Sequence, residues 1–183
     1  MSEIKKSASK NKEANPMRKI KLEKITLNMG GGTEAEGVEK AVTLLAKISG
    51  GKPVKTKATR RIPAWKVRPD LPVGAMVTIR GKKALEMLRG LLKAVENKVK
   101  KSSFTKNGFS FGVKEYIEIP GIKYDPKLGI LGLEVAVSLQ RAGFRVKRRK
   151  LFATRIHHKH EISGEDSQKW AVETFGLTDK EED

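Results

Sequence analysis

The chain contains no cysteine. That excludes disulfides and every zinc–thiolate site. Aromatic residues make up 5% of it, too few for ring stacking to be its main mode of recognition. Its three histidines, His157, His158 and His160, all fall in "TRIHHKH". With none elsewhere, no nucleophile–base–acid set can be assembled, and catalysis is not supported. No apolar run approaches the ~18 residues of a spanning helix, and the charges do not line one face of a long amphipathic helix. No membrane partner is expected. The start, "MSEIKKSASKNKEANP", lacks the apolar segment of a secretory signal, so the expected location is cytoplasmic.

Acid is also scarce over most of the length. Residues 1–160 carry 37 Lys and Arg against 13 Asp and Glu, whereas residues 161–183 carry eight acids and two bases. A body this basic repels itself and seeks polyanions.

Local patterns divide the chain. Residues 1–16 are polar and aperiodic, and read as a disordered basic arm. Residues 17–176 read as one domain, and residues 177–183 as an acidic tip. "KIKLEKITLNM" alternates as a strand, with a slip at Glu23–Lys24 that predicts a bulge or a late start. Val38, Ala41, Val42, Leu45 and Ile48 predict a helix ending at Gly50-Gly51. "KPVKTKA" and "GAMVTIRG" read as strands. Leu85, Leu88, Leu92, Val95 and Val99 mark a second helix. "FSFGVKEYIEIPG" gives one or two strands, "LGLEVAVSLQRAG" another, and "FRVKRRKLF" continues as a basic strand. "SGEDSQKWAVETFG" closes as a helix, capped by Ser163 with Asp166 and ended by Gly176. The order predicts an α+β fold of ferredoxin-like, RNA-recognition-like βαββαβ arrangement: an antiparallel sheet, both helices on one face, the other face open. Thr78, Arg80 and Lys55 are candidates to line that face, and a long basic loop follows the second strand.

Three motifs carry little weight. Gly30, Gly31, Gly32 and Ala35 satisfy a loose dinucleotide fingerprint. Glu34 and Glu36 nevertheless sit where a pyrophosphate needs positive potential, and the acid ~20 residues on is missing. The histidines lack the further ligands and spacing of a metal centre, so neither metal nor cofactor is expected. "NGFSFGVKEY" resembles the aromatic strand of RNA-recognition folds only faintly; Phe109 and Phe111 share one face and read as core.

The basic clusters remain. Ten bases and one acid lie between Gly50 and Lys83; eight bases and no acid lie between Arg141 and His160. A solvated charged face normally mixes signs. Phosphates neutralise such stretches with release of counterions. A proline-stiffened basic loop bearing Trp65 suits a folded RNA surface better than the DNA major groove, which takes a helix.

Six stretches, in order, carry a resemblance: "NPM", "KITLNMG", "ISGGKPVKTKA", "WKVRPDLPVGAMVTIRG", "GVKEYIEIPGIKYDP" and "LGLEVAVSL". Over roughly residues 15–150 the chain resembles the large-subunit ribosomal protein L5 family, the carriers of 5S rRNA. Its "RAGFRVKRRK…HHKH" tail resembles the archaeal and eukaryotic branch. The resemblance implies a ribosome-bound protein of the central protuberance whose sheet grips 5S rRNA. It implies a loop that reaches 23S rRNA and P-site tRNA, an intersubunit bridge to the small-subunit head protein "S thirteen", and the 5S-binding protein "L eighteen" as a neighbour. Carried position by position, the 5S-facing residues are Asn28, Thr78, Arg80 and the "GGKPVKTKA" strand with Lys52, Lys55 and Lys57. Gly51 stands where the bacterial pattern has Gln, and Lys52 is the expected substitute. Arg60, Arg61, Trp65, Lys66 and Arg68 are the expected loop contacts. Arg145, Lys147, Arg148, Arg149 and Lys150 extend the basic surface.

Overall fold

The computed structural model describes residues 15–179; the arm's first 14 residues and the last four of the tip lie outside them. Six strands form one antiparallel sheet in the order β2-β3-β1-β7-β6-β5. They are β1 (Lys21–Gly30), β2 (Val54–Lys57), β3 (Pro72–Ile79), β5 (Phe104–Thr105), β6 (Gly108–Val113) and β7 (Leu133–Gln140). β1, β2, β3 and β7, adjacent in the order β2-β3-β1-β7, reproduce the βαββαβ arrangement expected from the sequence, with α1 (Ala35–Ser49) and α2 (Lys82–Ala94) as the crossovers, and β5 and β6 extend the sheet beyond β7. Two short helices, α3 (Arg145–Arg148) and α4 (Gly164–Phe175), follow; β4 (Lys98–Val99) pairs in parallel with β8 (Thr178–Asp179).

One face of the sheet makes the core. Ile25, Leu27 and Met29 of β1, Ala75, Val77 and Ile79 of β3, and Leu133, Val135, Val137 and Leu139 of β7 are all buried. They pack with Ala41, Leu44 and Leu45 of α1 and Leu88, Leu91 and Leu92 of α2 in one apolar cluster. A side-chain period of two meets one of 3.6, so both helices cover the same face. The buried stripe of α2 is Ala84, Leu88, Leu91 and Leu92, with Leu85 exposed. The stripe expected from the sequence, with Leu85 in it, is rotated by one position.

The slip in β1 is real. Leu22 opposes Leu139 and Lys24 opposes Ser138, which leaves Glu23 as the extra residue of a bulge. The closing helix also has the expected ends. The Ser163 hydroxyl accepts from the Asp166 amide at 3.1 Å, the Asp166 carboxylate accepts from the Ser163 amide at 3.4 Å, and Gly176 ends the helix at φ 66°. Leu177 is buried and the Thr178 amide donates to the Asn97 carbonyl at 3.0 Å, so the start of the acidic tip belongs to the folded body.

Three segments depart from expectation. The second helix stops at Ala94 short of the expected Val99, which lies in β4, because Glu96 and Asn97 stand in the left-handed region at φ 55° and 58°. "FRVKRRKLF" is not a strand. β7 already has β1 and β6 as neighbours, the chain turns at Gly143 (φ 89°), Phe144 is buried, and α3 follows. "FSFGVKEYIEIPG" is a strand only to Val113; Tyr116–Glu118 form a 3-10 turn. Tyr116 is wholly buried and its hydroxyl accepts from the Asp125 amide at 3.1 Å.

Candidate nucleic-acid interface

Three surfaces concentrate the residues singled out by the sequence: the open sheet face, the hairpin between β2 and β3, and the segment from Arg141 to His160.

The open face follows from strand alternation. Residues whose neighbours are buried against the helices must point the other way. Register then sets them in rows. One row runs Val54, Met76, Asn28, Glu134, Gly112, and the next runs Thr78, Thr26, Ala136, Ser110. A third holds Lys24, Ser138 and Gly108. Most of these side chains are small or hydrogen-bonding. No aromatic ring lies in these rows, since Phe109 and Phe111 face the helices with the core. The structure thus brings Asn28 and Thr78 onto one face in adjacent rows. Arg80 is exposed just past the end of β3, and Lys52 is exposed just before β2.

Lys55 is not on this face. It opposes the buried Ala75, on the helix side, and its ammonium lies 3.6 Å from Glu39 of α1. Val54, which is 60% exposed, takes the open-face position instead. The expectation for Lys55 follows charge where the alternation decides. Lys57 lies at a register slip, opposite Pro72, with its ammonium 3.5 Å from Asp70. Both ion pairs are exposed and hold their lysines by ~1 kcal/mol or less. Both cations can therefore turn to a stronger anion.

The hairpin is ordered by its own backbone. At its root the Ala58 amide donates to Leu71 at 2.8 Å and the Asp70 amide donates to Ala58 at 3.0 Å. At its tip Ile62 and Val67 exchange hydrogen bonds of 3.0 and 3.1 Å around a 3-10 turn, Pro63–Trp65. Lys66 closes the turn in the left-handed region at φ 54°. The long basic loop expected after the second strand is thus a hairpin-like segment held by its own backbone bonds and one isolated bridge, Ile62–Val67. Arg60, Arg61, Lys66 and Arg68 are exposed on it and meet no acid among the described residues. Trp65 is 69% exposed at the tip, over a cleft of about 750 Å³ lined by Ile62, Val67, Val73 and Thr33.

The third surface is half structural. Arg141 is buried, donates to the His160 and Glu161 carbonyls at 3.3 and 3.0 Å, and pairs with Asp166 at 3.0 Å. Arg148 pairs with Glu23 of the bulge and donates to Gln140 at 3.3 Å. Arg149 donates to the Phe152 carbonyl at 2.8 Å. Arg145, Lys147 and Lys150 are exposed and meet no acid among the described residues. The basic surface expected here is therefore narrower than its residue count, with Arg148 and Arg149 partly spent within the fold.

His158–His160 form a 3-10 turn with His157 as its cap. The His157 ring accepts from the Lys159 amide at 3.2 Å, and His160 Nε2 lies 2.8 Å from the Ala142 carbonyl and donates to it. These are backbone anchors. Among the described residues no group of three His, Asp or Glu could hold a metal. The glycine turn is equally internal. The Gly31 amide donates to Val73 at 3.0 Å. A Cβ on Gly31 would meet the Val38 backbone at 2.6 Å, and one on Gly37 would meet the Gly31 carbonyl at 2.1 Å. Gly31 and Gly37 serve close packing of α1 on the sheet, and the Gly31 amide is engaged within the fold.

Several exposed residues escape a reading of the sequence alone. Met76 and Val54 on the open face, and Leu151 and Phe152 beyond α3, are large and solvent-facing. Glu134 is another. For Met76 and Glu134 the signal is present, since each alternates with neighbours that are buried.

Two family descriptions match the chain in succession: "Ribosomal protein L5" over residues 15–68, and the C-terminal part of the same ribosomal family over residues 72–166. Curated relatives named "Large ribosomal subunit protein uL5" align over most of its length. The one from Nanoarchaeum equitans is 51% identical over 163 residues, covering 88% of this chain and 96% of the relative. That from Sulfurisphaera tokodaii is 45% identical over 166 residues, covering 90% and 94%. That from Archaeoglobus fulgidus is 39% identical over 163 residues, covering 89% and 91%. A bulged sheet with one bare face, a basic hairpin and these matches across both halves lead to one conclusion: the chain belongs to the ribosomal protein L5 family.

Proposed function

We propose that this protein holds 5S rRNA on its open sheet face while its basic hairpin reaches 23S rRNA and P-site tRNA. Its family consists of structural ribosomal proteins of the large subunit, not enzymes, and the chain acts on the ribosome in the cytoplasm. No helix among the described residues is long and apolar enough to cross a membrane. One observation carries the finer reading. The open face presents Asn28, Thr26, Thr78 and Ser110 in two adjacent rows, on the side of the sheet away from α1 and α2, with Lys52 and Arg80 exposed at its ends. Small polar side chains allow a broad RNA surface close approach, and the cations take its phosphates. Lys57 at the root of the hairpin can serve either surface, and Lys55 reaches RNA from the sheet's edge once freed from Glu39. In the assembled subunit the neighbours are "L eighteen", which shares 5S rRNA, and "S thirteen", which is met across the subunit boundary. Residues 17–176, together with the docked 177–179, act as one RNA-binding unit; residues 1–16 add further cations to it.

Filter binding of 5S rRNA in competition with bulk tRNA and duplex DNA, at two salt concentrations, tests the reading. A preference for 5S rRNA of at least roughly a hundredfold at fixed salt is expected. Asn28→Ala with Arg80→Ala should lower 5S affinity about a hundredfold and leave the thermal midpoint unchanged, since neither side chain is in the core. Equal binding of all three nucleic acids would end the proposal.

A further inference from the structure

The open face carries one group that a phosphate-binding surface should avoid. Glu134 is the only carboxylate in its two central rows. It is exposed, and no cation pairs with it among the described residues, in a chain with 39 Lys and Arg. The nearest lysine along its own strand pair is Lys24, four residues from Asn28 on β1 and so ~13 Å away at ~3.4 Å per residue. What holds Glu134 is Asn28. The two residues are direct partners across β1 and β7, and the Asn28 amide nitrogen donates to Glu134 Oε2 at 3.1 Å. Around the pair is a hollow of about 590 Å³ lined by Thr26, Ser103, Ser110, Gly112 and Ala136, with Phe111 and Val135, which pack into the core, behind them. The side chains that face it are small.

We infer that the Asn28–Glu134 pair is a subsite for hydrogen-bond donors of RNA, namely ribose hydroxyls or guanine amino groups. The inference rests on the reading of this face as an RNA surface. A phosphate set against Glu134 would be repelled, so the phosphate track must pass it by. A carboxylate accepts and never donates. The bond from Asn28 occupies one of its roughly four acceptor positions, and the residue's exposure leaves others open to solvent. The same bond uses the Asn28 amide nitrogen, so the carbonyl oxygen beside it is left as a second acceptor. Two acceptors side by side on a flat surface suit the wide, shallow groove of an A-form helix, which displays 2′-hydroxyls and guanine amino groups. Duplex DNA offers no 2′-hydroxyl, so the pair also favours RNA over DNA. Neutral serines and threonines could accept as well. Only the carboxylate does so while excluding phosphate, and it thereby sets which side of an RNA helix meets the sheet.

Glu134→Gln is the informative change, since it keeps the shape and removes the charge. With a 5S rRNA transcript as probe, the variant should bind about tenfold more weakly. The slope of affinity against salt should be unaltered, because no phosphate contact is lost. Thermal melting should match the wild type. Binding equal to or tighter than wild type overturns the subsite, since relief of repulsion would then be all the change does. Transcripts carrying inosine for guanosine, or single 2′-deoxy substitutions, separate the two donor classes. At least one should weaken the wild type and leave Glu134→Gln no worse; if none does, the inference fails. A loss on Glu134→Gln that vanishes when Mg²⁺ is replaced by monovalent salt would mark a metal-bridged contact and overturn it too. If the wild type shows no preference for 5S rRNA, the function proposed above fails and takes the subsite with it. If the wild type prefers 5S rRNA and Glu134→Gln is silent, only the subsite fails.

Discussion

The two basic stretches, Pro53–Gly74 and Arg141–His160, are alike in composition and unlike in use. In the first, four of the cations on the hairpin stand clear of any acid and the backbone supplies its own order through the Ala58–Leu71 and Ile62–Val67 hydrogen bonds. In the second, Arg141, Arg148 and Arg149 are bonded to the protein itself, and Arg141 is as buried as the core residue Leu177. Charge density in a sequence therefore counts cations without saying which way they face. A cation in a hairpin is free because backbone bonds shape the hairpin without it. A cation in a segment with little regular structure is enlisted to satisfy carbonyls that no ladder satisfies.

That contrast is most exposed at Arg141. Truncation to Ala leaves the His160 and Glu161 carbonyls without a donor and Asp166 without its partner. We expect a loss of about 3 kcal/mol in stability, within the range for breaking a buried, hydrogen-bonded pair. That corresponds to a fall of about 6–12 °C in the thermal midpoint at this size, read by calorimetry. RNA affinity of the folded fraction should be unchanged. A variant that melts like wild type but loses RNA binding would show that the two stretches work alike after all.

The reciprocal experiment changes the hairpin. Arg60→Ala, Arg61→Ala and Lys66→Ala together remove three exposed cations and leave the backbone bonds that shape the hairpin in place. Stability should move by less than ~0.5 kcal/mol. Affinity for a 23S rRNA fragment should fall, and the slope of log affinity against log salt should become shallower by about 2.7 for three lost phosphate contacts. Affinity for 5S rRNA should stay within about twofold, because the sheet face is untouched. Loss of 5S binding here, with the sheet-face variants silent, would reverse the division of labour between face and hairpin.

How much of this can be read from the residues depends on whether the deciding contact is local. Alternation in β1, β3 and β7 announces the sheet, its bulge at Glu23 and its bare face, because a period of two is set by each strand alone. The ends of α4 are readable because Ser163 and Asp166 act within one turn of each other, and Gly176 closes the last turn by itself. Lys55 is misplaced by its charge although the pattern is available: Val54, Thr56 and Ala75 fix its side. α3 and the role of Arg141 are not readable. What holds Arg141 is a pair of carbonyls and a carboxylate 19 to 25 residues further on, brought back by a turn that no local period announces. The Asn28–Glu134 pair spans 106 positions, yet each half can be assigned to the open face from its own strand, and only their union requires the register.

The smallest effect separates the stretches most finely. Arg148 belongs to the second stretch but is intermediate in character: its side chain is 49% exposed, while its partner Glu23 is only 12% exposed. A fully exposed pair would contribute ~0–1 kcal/mol, but Glu23 sits in the bulge where its carboxylate has little access to water. Arg148→Ala strands that charge, and Arg148→Ala with Glu23→Gln removes both ends. The single change should cost about 1 kcal/mol and the double change less, so that a double-mutant cycle returns a coupling of about 0.5–1 kcal/mol by thermal or urea unfolding. If the single variant is neutral in stability while 5S or 23S affinity drops, Arg148 faces RNA in the assembled particle. The boundary between structural and RNA-facing cations would then lie inside α3 and not between the two stretches.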